Sequence, residues 1–336
     1  MPLNFSPEAR HGGRLRLQIL DIASYLPETV LDNRRLSELT GREEDFFLRR
    51  TGIRQRRRAA PEENTNTMAV SAVRALGSAS RARLASVDLV IGCSYTSWDL
   101  IGTLAHAVQR EFAMTRARAF TLSSACSSVA NALEVAAAFF DAGRSALALI
   151  VAADHNSLHS NDSDQRSGHL WGDGAAAMLV CREPEPQACF MVRDVWTMGL
   201  GHVGLGPEAI ALQPHGPGLV MPHGKDVFVQ ACEGMESAAR LVLERNGLVA
   251  ADLGLLVPHQ ANQRIMDHVA ERLALAPGRV ASTIASYGNT GCASAIVTLD
   301  EHQHRLADGE LALVLTFGGG YSAGAALLQK QAAPAA

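Results

Sequence analysis

Three short segments of this 336-residue chain carry side chains able to do nucleophilic and hydrogen-bond-donor chemistry. The first is Ser123-Ser124-Ala125-Cys126-Ser127-Ser128, between an apolar run and a stretch with helical spacing. A cysteine at a helix N-terminus has its thiolate stabilised by free backbone N–H groups and by the helix dipole, and the small neighbours leave room for a substrate. A buried structural cysteine is the competing account. The second segment, Val257-Pro258-His259-Gln260-Ala261-Asn262, puts a histidine where a short strand gives way to a helix, the place α/β folds reserve for reacting groups. A structural histidine fits there too. The third, Tyr287-Gly288-Asn289-Thr290-Gly291, flanks an asparagine with glycines, so Asn289 is either a left-handed turn residue or an amide donor toward a developing oxyanion. Together with the glycine loop Gly318-Gly319-Gly320, the three imply Cys-His-Asn chemistry.

Other motifs fail on context. Gly320-Tyr321-Ser322-Ala323-Gly324 fits the GxSxG nucleophile elbow, but a serine hydrolase needs an acid and then a histidine downstream, and residues 323–336 contain neither. A glycine-rich turn between two strands is the better account. Residues 199–204 fit GxGxxG, yet a proline- and glycine-broken loop follows instead of the helix that a pyrophosphate site requires. His155, His159 and His169 sit in polar sequence and read as surface histidines rather than metal ligands. The group Arg49, Arg50, Arg54, Arg56, Arg57 and Arg58 reads as a solvated face by default, or as a phosphate-binding group at a pocket mouth.

The elements that must position these residues alternate strand and helix. Strands are expected at 87–94, 117–122 and 146–153, with helices at 102–111 and 127–141. In the second half, helices are expected at 225–246, 263–275 and 293–305, and strands at 253–257, 280–284, 311–317 and 325–328. That rhythm predicts an α/β fold with mainly parallel pairing, duplicated in two halves, the boundary falling in the Pro- and Gly-rich stretch 182–223. The ends, up to residue 13 and from 332, are expected to fray. Hydrophobic residues make up 47% of the chain, enough for a sizeable core, and the net charge of -4 argues against a nucleic-acid binder. The longest apolar run, 146–153, is too short to span a bilayer, and the N-terminus lacks the apolar core of a signal peptide. Six cysteines without a CxxC pair suggest reduced thiols in a cytoplasm.

In motif order and spacing the chain resembles the β-ketoacyl-acyl-carrier-protein synthase III enzymes of the thiolase-like superfamily. The motifs in register are Thr51-Gly52-Ile53-Arg54, Cys126, Gly172-Asp173-Gly174-Ala175, His259-Gln260-Ala261-Asn262, Gly288-Asn289-Thr290 and Phe317-Gly318-Gly319-Gly320, spread from about Arg16 to Leu328. The resemblance implies a thiolase-like fold with a layered α-β-α-β-α core, an N-terminal half over 14–182 carrying the nucleophile and a C-terminal half over 183–331 carrying His and Asn. It implies a decarboxylating condensation: Cys126 is acylated by a starter, expected to be an acyl-CoA; the N–H groups of Cys126 and Gly319 form the oxyanion hole; His259 and Asn289 stabilise the enolate from a malonyl-carrier thioester. No metal or other cofactor is implied; CoA and acyl-carrier thioesters are substrates. Arg50, Thr51, Gly224, Phe228, Ala261, Asn262 and Arg264 would line the pantetheine tunnel or its mouth. Phe46 stands where an adenine-stacking tryptophan is common, and Arg166 lies beside Gln165, where the family often has arginine. A homodimer that meets acyl carrier protein and acyl-CoA, but neither nucleic acid nor membrane, is expected. Ser127-Ser128 in place of Ala-Gly, Tyr321-Ser322-Ala323 in place of Phe-Thr-Trp, and an unmatched segment 200–221 beside the acyl pocket leave two alternatives open: acyl transfer without decarboxylation, or a non-catalytic partner subunit.

Overall fold

The computed structural model of the chain describes residues 15–332 apart from 183, 214 and 277. The first half runs β1 (Gln18–Tyr25), β2 (Thr29–Asp32), α1 (Asn33–Thr40), α2 (Glu44–Thr51), β3 (Gln55–Arg58), α3 (Thr65–Ala75), α4 (Ser78–Ala82), β4 (Leu89–Cys93), α5 (Leu104–Glu111), β5 (Arg118–Leu122), α6 (Ser128–Asp141), β6 (Leu147–Asp154) and β7 (Gly174–Cys181). The second runs β8 (Phe190–Gly199), β9 (Ala211–Leu212), β10 (Leu219–Val220), α7 (Gly224–Arg245), β11 (Leu253–Pro258), α8 (Gln263–Arg272), α9 (Ile284–Tyr287), α10 (Ser294–His302), β12 (Leu311–Gly318) and β13 (Ser322–Lys330).

Nine strands form one sheet in the order β11-β12-β13-β8-β1-β7-β6-β4-β5. The duplication lies in the pairing. In the first half β4 is parallel to β6, β6 antiparallel to β7, and β7 antiparallel to β1; in the second, β11, β12, β13 and β8 repeat that series of pairings. The halves join where β1 and β8 pair over two residues. Between them lie two helices with few charges: α6 packs on β4 and β6 of its own half and on β8 and β13 of the other, while α10 packs on β11 and β12 and on β1 and β7. Helices α3 and α5 cover the outer face of the first half, and α7 that of the second, giving the layered arrangement. Residues such as Ala132, Ala136, Ile296 and Leu299 are buried in the middle layer, because a helix between two sheets needs apolar side chains all round.

Several expectations change. Only β4–β5, β4–β6 and β11–β12 are parallel; the remaining pairs of the main sheet are antiparallel, so the sheet is mixed. A ten-residue strand, β8, crosses the stretch read as a boundary; its alternating burial marks it as part of the sheet. The strand expected at 280–284 reduces to a bridge from Val280 to Leu256, after which Thr283 and Ile284 turn into α9, held by their N–H groups on Gln260 Oε1. The proposed boundary at 182–183 and the frayed ends fall mostly on residues outside those described.

The arginine group is corrected most strongly. Strand β3 pairs with β2 and turns Arg56 and Arg58 inward. Arg56 is 0% exposed and donates to Asn33 Oδ1 at 2.9 Å and to the His169 carbonyl at 2.7 Å. Arg58 donates to the Trp171 carbonyl and pairs with Asp162, and Arg57 stacks over Tyr287. These guanidinium groups satisfy loop carbonyls and are unavailable to a phosphate. Burial and the nearby Arg58 lower the pKa of Arg56 to about 9. His155 and His169 are likewise buried, not on the surface. Removing Arg56 leaves buried acceptors without a donor, so Arg56→Ala is expected to cost about 3 kcal/mol, read as a lower urea midpoint at unchanged m-value.

Candidate active site

Strand β5 ends at Leu122 and α6 begins at Ser128; the five residues between them hold Cys126 in a tight turn. Ala125 adopts a left-handed conformation at φ 47°, so the chain reverses just before the cysteine. The serines that depart from the family pattern maintain this turn. Ser128 Oγ donates to the Ala125 carbonyl at 2.6 Å and accepts from Ser124 N at 2.9 Å, while Ser127 Oγ meets Thr316 Oγ1 on β12 at 3.0 Å. Ser322 adds a bond from its hydroxyl to the Ser124 carbonyl at 2.9 Å. At Gly318 a Cβ would lie 2.5 Å from Ser124 O and 2.9 Å from Cys126 N, so only glycine lets the β12–β13 turn close on the cysteine. That turn is the glycine loop, which lies between two strands as the sequence suggests; the two are antiparallel.

His259 follows β11, its N–H bonded to the Leu315 carbonyl of β12 at 2.7 Å. Burial lowers its pKa to about 4, so the ring is neutral at physiological pH. Ser294 Oγ accepts from Gln260 N at 3.3 Å and lies 2.5 Å from His259 Nδ1. A hydroxyl that accepts from Gln260 N and gives its own proton to Nδ1 leaves Nε2 carrying the ring hydrogen as a donor. Asn289 is held by its backbone, which donates to the Leu170 carbonyl and accepts from Gly172 N, both at 2.9 Å. Its Oδ1 accepts from Gly291 N at 3.0 Å, which leaves the amide N–H₂ as the free end.

One segment, 289–294, connects all three residues. It contains Asn289, it supplies Ser294 to His259, and its Cys292 donates from Sγ to the Ala125 carbonyl at 3.1 Å, beside Cys126. The segment is fastened by Asp154, at the end of β6, whose Oδ2 accepts from Cys292 N at 2.7 Å. Asp154 Oδ1 accepts from Ser94 Oγ, Tyr95 N, Thr96 N and Thr96 Oγ1. Burial raises the pKa of this carboxyl. Cys126 is 8% exposed, and burial first, then the Asp154 charge, push its thiol up to about 12; contact with Tyr95 and the cysteine's own N–H act the other way.

Cys126 and Gly319 line one cavity of about 700 Å³, bordered also by Ile210, Leu212 and Gln213 of the unmatched segment. Asn289 lines a second, of about 450 Å³, with Arg50, Gly224, Phe228, Ala261 and Asn262. Arg264 borders it too, its guanidinium over the Phe228 ring. Asn262 does double service, capping α8 through Arg264 N and donating to the Arg50 carbonyl at 3.3 Å. Phe46 lies next to this mouth, with Arg42 and Arg50 at 5.1 and 5.8 Å from its ring. Besides Phe46, three expected residues line neither cavity: His259, which is 4% exposed, Thr51 and Arg166. Thr51 is buried, its hydroxyl bonded to the Phe47 carbonyl and accepting from Ile53 N, so it fixes the end of α2 next to Arg50. Arg166 is exposed on its loop, while Gln165 bonds Arg42. Sequence reasoning missed Tyr95, Asp154, Asn156 and Ser294; a carboxylate ending an otherwise apolar strand is the one local signal, at Asp154, that marks any of them. Among the described residues no three His, Cys, Asp or Glu side chains converge as metal ligands, and no helix is long and apolar enough to cross a membrane.

The fold and this site define a thiolase-like condensing enzyme. Residues 120–197 match the family model for 3-oxoacyl-[acyl-carrier-protein] synthase III, and residues 243–330 match its C-terminal model. The chain is 33% identical over 317 residues to a β-ketoacyl-[acyl-carrier-protein] synthase III of Thiobacillus denitrificans, covering 93% of this chain and 98% of that one. It is 36% identical to synthase III 2 of Streptomyces coelicolor, covering 95% of each. Among solved structures it matches the Pseudomonas aeruginosa synthase III with TM-score 0.86 and 31% identity, over 95% of this chain and all of that one. It also matches the priming β-ketosynthase of the R1128 polyketide pathway with TM-score 0.84 and 30% identity, over 96% and 99%. The chain belongs to the β-ketoacyl-[acyl-carrier-protein] synthase III family, enzymes of acyl transfer by decarboxylating condensation.

The neutral histidine is directly testable. Nitrogen chemical shifts of His259 are expected to report the Nε2–H tautomer unchanged from pH 8 to pH 5, with imidazolium appearing only as the pH approaches 4. Ser294→Ala is expected to mix the two tautomers. Imidazolium already present at pH 6.5 contradicts the assignment.

Proposed function

We propose that Cys126 is the nucleophile that takes the starter acyl group from an acyl-CoA, and that His259 and Asn289 are the donors that stabilise the enolate of a malonyl-carrier thioester. The observation that carries this reading is the 289–294 segment, which ties the neutral histidine and the oriented amide to the turn of the cysteine. Cys126 Sγ attacks the thioester carbonyl; its oxygen takes hydrogen bonds from the N–H groups of Cys126 and Gly319, CoA leaves as its thiol, and the sulfur keeps the acyl group. The approach of Gly318 to Cys126 N supports this pairing of amides.

The malonyl thioester then loses CO₂, and its carbonyl oxygen becomes an enolate oxygen. Nε2–H of His259 and the N–H₂ of Asn289 are donors suited to that charge, each worth about 3 kcal/mol when preorganised in a site that excludes water. The enolate carbon attacks the acyl-cysteine, the C–S bond breaks, and a β-ketoacyl thioester departs. Every step is carried by the substrates and these side chains, with no further cofactor.

The remaining assignments follow from the same layout. The 450 Å³ cavity suits a pantetheine arm, with Arg50, Lys225 and Arg264 placed for a phosphate or an acidic carrier protein, and Phe46 offering a flat ring to adenine. We assign a homodimer because β5 is an open sheet edge and Leu100 and Ile101, nearby, are 79% and 90% exposed. Cysteines outside any disulfide in the described chain suit a cytoplasmic enzyme. The halves are taken as 14–182 and 183–331.

Intact-protein mass spectrometry with a panel of acyl-CoAs is expected to show one acyl adduct, lost in Cys126→Ala; an adduct that survives in that variant removes Cys126 as the nucleophile. Asn289→Ala is expected to keep the adduct and lose on the order of 10²-fold in CO₂ release from the malonyl thioester. Light scattering is expected to give the mass of a dimer, and a monomer mass for a chain carrying Leu100→Asp and Ile101→Asp.

A further inference from the structure

Asp226, in the first turn of α7, reaches the glycine loop from two sides through one carboxylate oxygen. Its Oδ2 accepts the Tyr321 phenol at 2.8 Å and the Leu205 N–H at 2.9 Å. Tyr321 directly follows Gly318-Gly319-Gly320, and its ring is buried against Phe317 with the centroids 5.2 Å apart. The hydroxyl comes from a departure from the family pattern, a tyrosine where phenylalanine is usual.

Leu205 opens the segment that covers the cavity containing Cys126. Pro207, Ile210 and Leu212 of that segment line the cavity together with Gly319. A Cβ on Gly319 would lie 2.7 Å from Ile210 Cγ2, so the isoleucine rests directly on the glycine. The backbone beyond Gly319 is enclosed as well. Leu200 N donates to the Tyr321 carbonyl at 2.8 Å, and a Cβ at Gly206 would lie 3.4 Å from Gly320 O. Gly204 lets the turn before Leu205 close on the carboxylate: it sits at φ 54°, and a Cβ there would lie 2.6 Å from Asp226 Oδ2. Gly319 is therefore held between a phenol two residues along the chain and an isoleucine packed against it, and Asp226 anchors the segments that carry both.

We propose that Asp226 is a positioning residue which, through Tyr321 and the 205–212 segment, holds the Gly319 amide where the thioester oxygen gains charge. The proposal rests on the reading of Cys126 as the acylated nucleophile and of the Gly319 N–H as an oxyanion donor. Asp226 touches no reacting atom and exchanges no proton. Its influence is confined to the steps that build charge on an oxygen beside Gly319, which are the attack of Cys126 on acyl-CoA and the later attack on the acyl-cysteine. An oxyanion donor acts by preorganisation, so a displaced amide lowers the rate of these steps and leaves substrate binding intact.

Two reactions of the same sulfur separate this role from general support of the fold. Acylation by acyl-CoA, followed in single turnover by intact-protein mass spectrometry, passes through an oxyanion. Alkylation by iodoacetamide displaces iodide at a saturated carbon and forms none. In Tyr321→Phe, which restores the usual family residue, and in Asp226→Ala, acylation at saturating acyl-CoA is expected to slow about tenfold. The alkylation rate and the acyl-CoA concentration for half-saturation are expected to stay unchanged. Asp226→Asn keeps an acceptor oxygen for both donors and is expected to retain the parent acylation rate. The double variant Tyr321→Phe with Asp226→Ala is expected to be no slower than Asp226→Ala alone, because both changes break one linkage. Equal slowing of acylation and alkylation would show a distorted cysteine turn and overturn the proposal, as would unchanged acylation in Tyr321→Phe and Asp226→Ala. If iodoacetamide alkylates Cys126 of the parent protein while no acyl-CoA labels it, the nucleophile reading itself fails and the role of Asp226 falls with it.

Discussion

The carboxylate of Asp154 is the interaction on which the site depends. It lies at the end of β6, fully buried, and takes four donors from the turn after β4 on one oxygen and the Cys292 N–H on the other. A buried carboxylate with neither water nor donors is prohibitively costly, so each donor is held firmly in place. The donors come from both halves of the duplicated fold. Asp154 thereby locks the first half, which carries Cys126, to the segment of the second that carries Asn289 and Ser294. Its charge also raises the thiols of Cys93, Cys126 and Cys292, so the same group that organises the site makes Cys126 harder to ionise.

Glycines let the halves approach. A Cβ at Gly172 would lie 2.0 Å from the Tyr287 carbonyl, and one at Gly288 2.9 Å from both Arg56 Cβ and the Leu170 carbonyl. With Gly318 against Ser124 and Cys126, these positions bring backbone to backbone across the junction of the halves, where amides rather than side chains do much of the orienting. The middle layer serves the same end: α6 starts at the cysteine turn and α10 starts at Ser294, beneath His259. Both buried helices therefore begin at the candidate site and are gripped on both faces by sheet.

Departures from the family pattern find local structural reasons. Ser127 and Ser128 spend their hydroxyls on Thr316 and on the cysteine turn, Ser322 bonds the Ser124 carbonyl, and Tyr321 donates to Asp226 Oδ2 at 2.8 Å at the first turn of α7. A small set of polar substitutions thus reinforces the turn that holds Cys126.

The sequence by itself determined the local elements and the candidate positions. The apolar run that became β6, the helices at 224–245 and 263–272, and the settings of Cys126, His259 and Asn289 between strand, turn and helix were legible because they depend on periodicity and on neighbours a few residues away. The motif spacing added the duplicated fold. Tertiary structure alone decided the rest. Strand β8 and the antiparallel pairs depend on contacts with distant strands, and the inward turn of Arg56 depends on carbonyls 25 and 113 residues away. Asp154 reaches a donor 138 residues on, Ser294 reaches His259 across 35, and Tyr95 reaches Asn156 across 61. A side chain's type shows what it can donate or accept; its partner, and hence its protonation and role, is set by which distant group the folded core places about three ångströms from it.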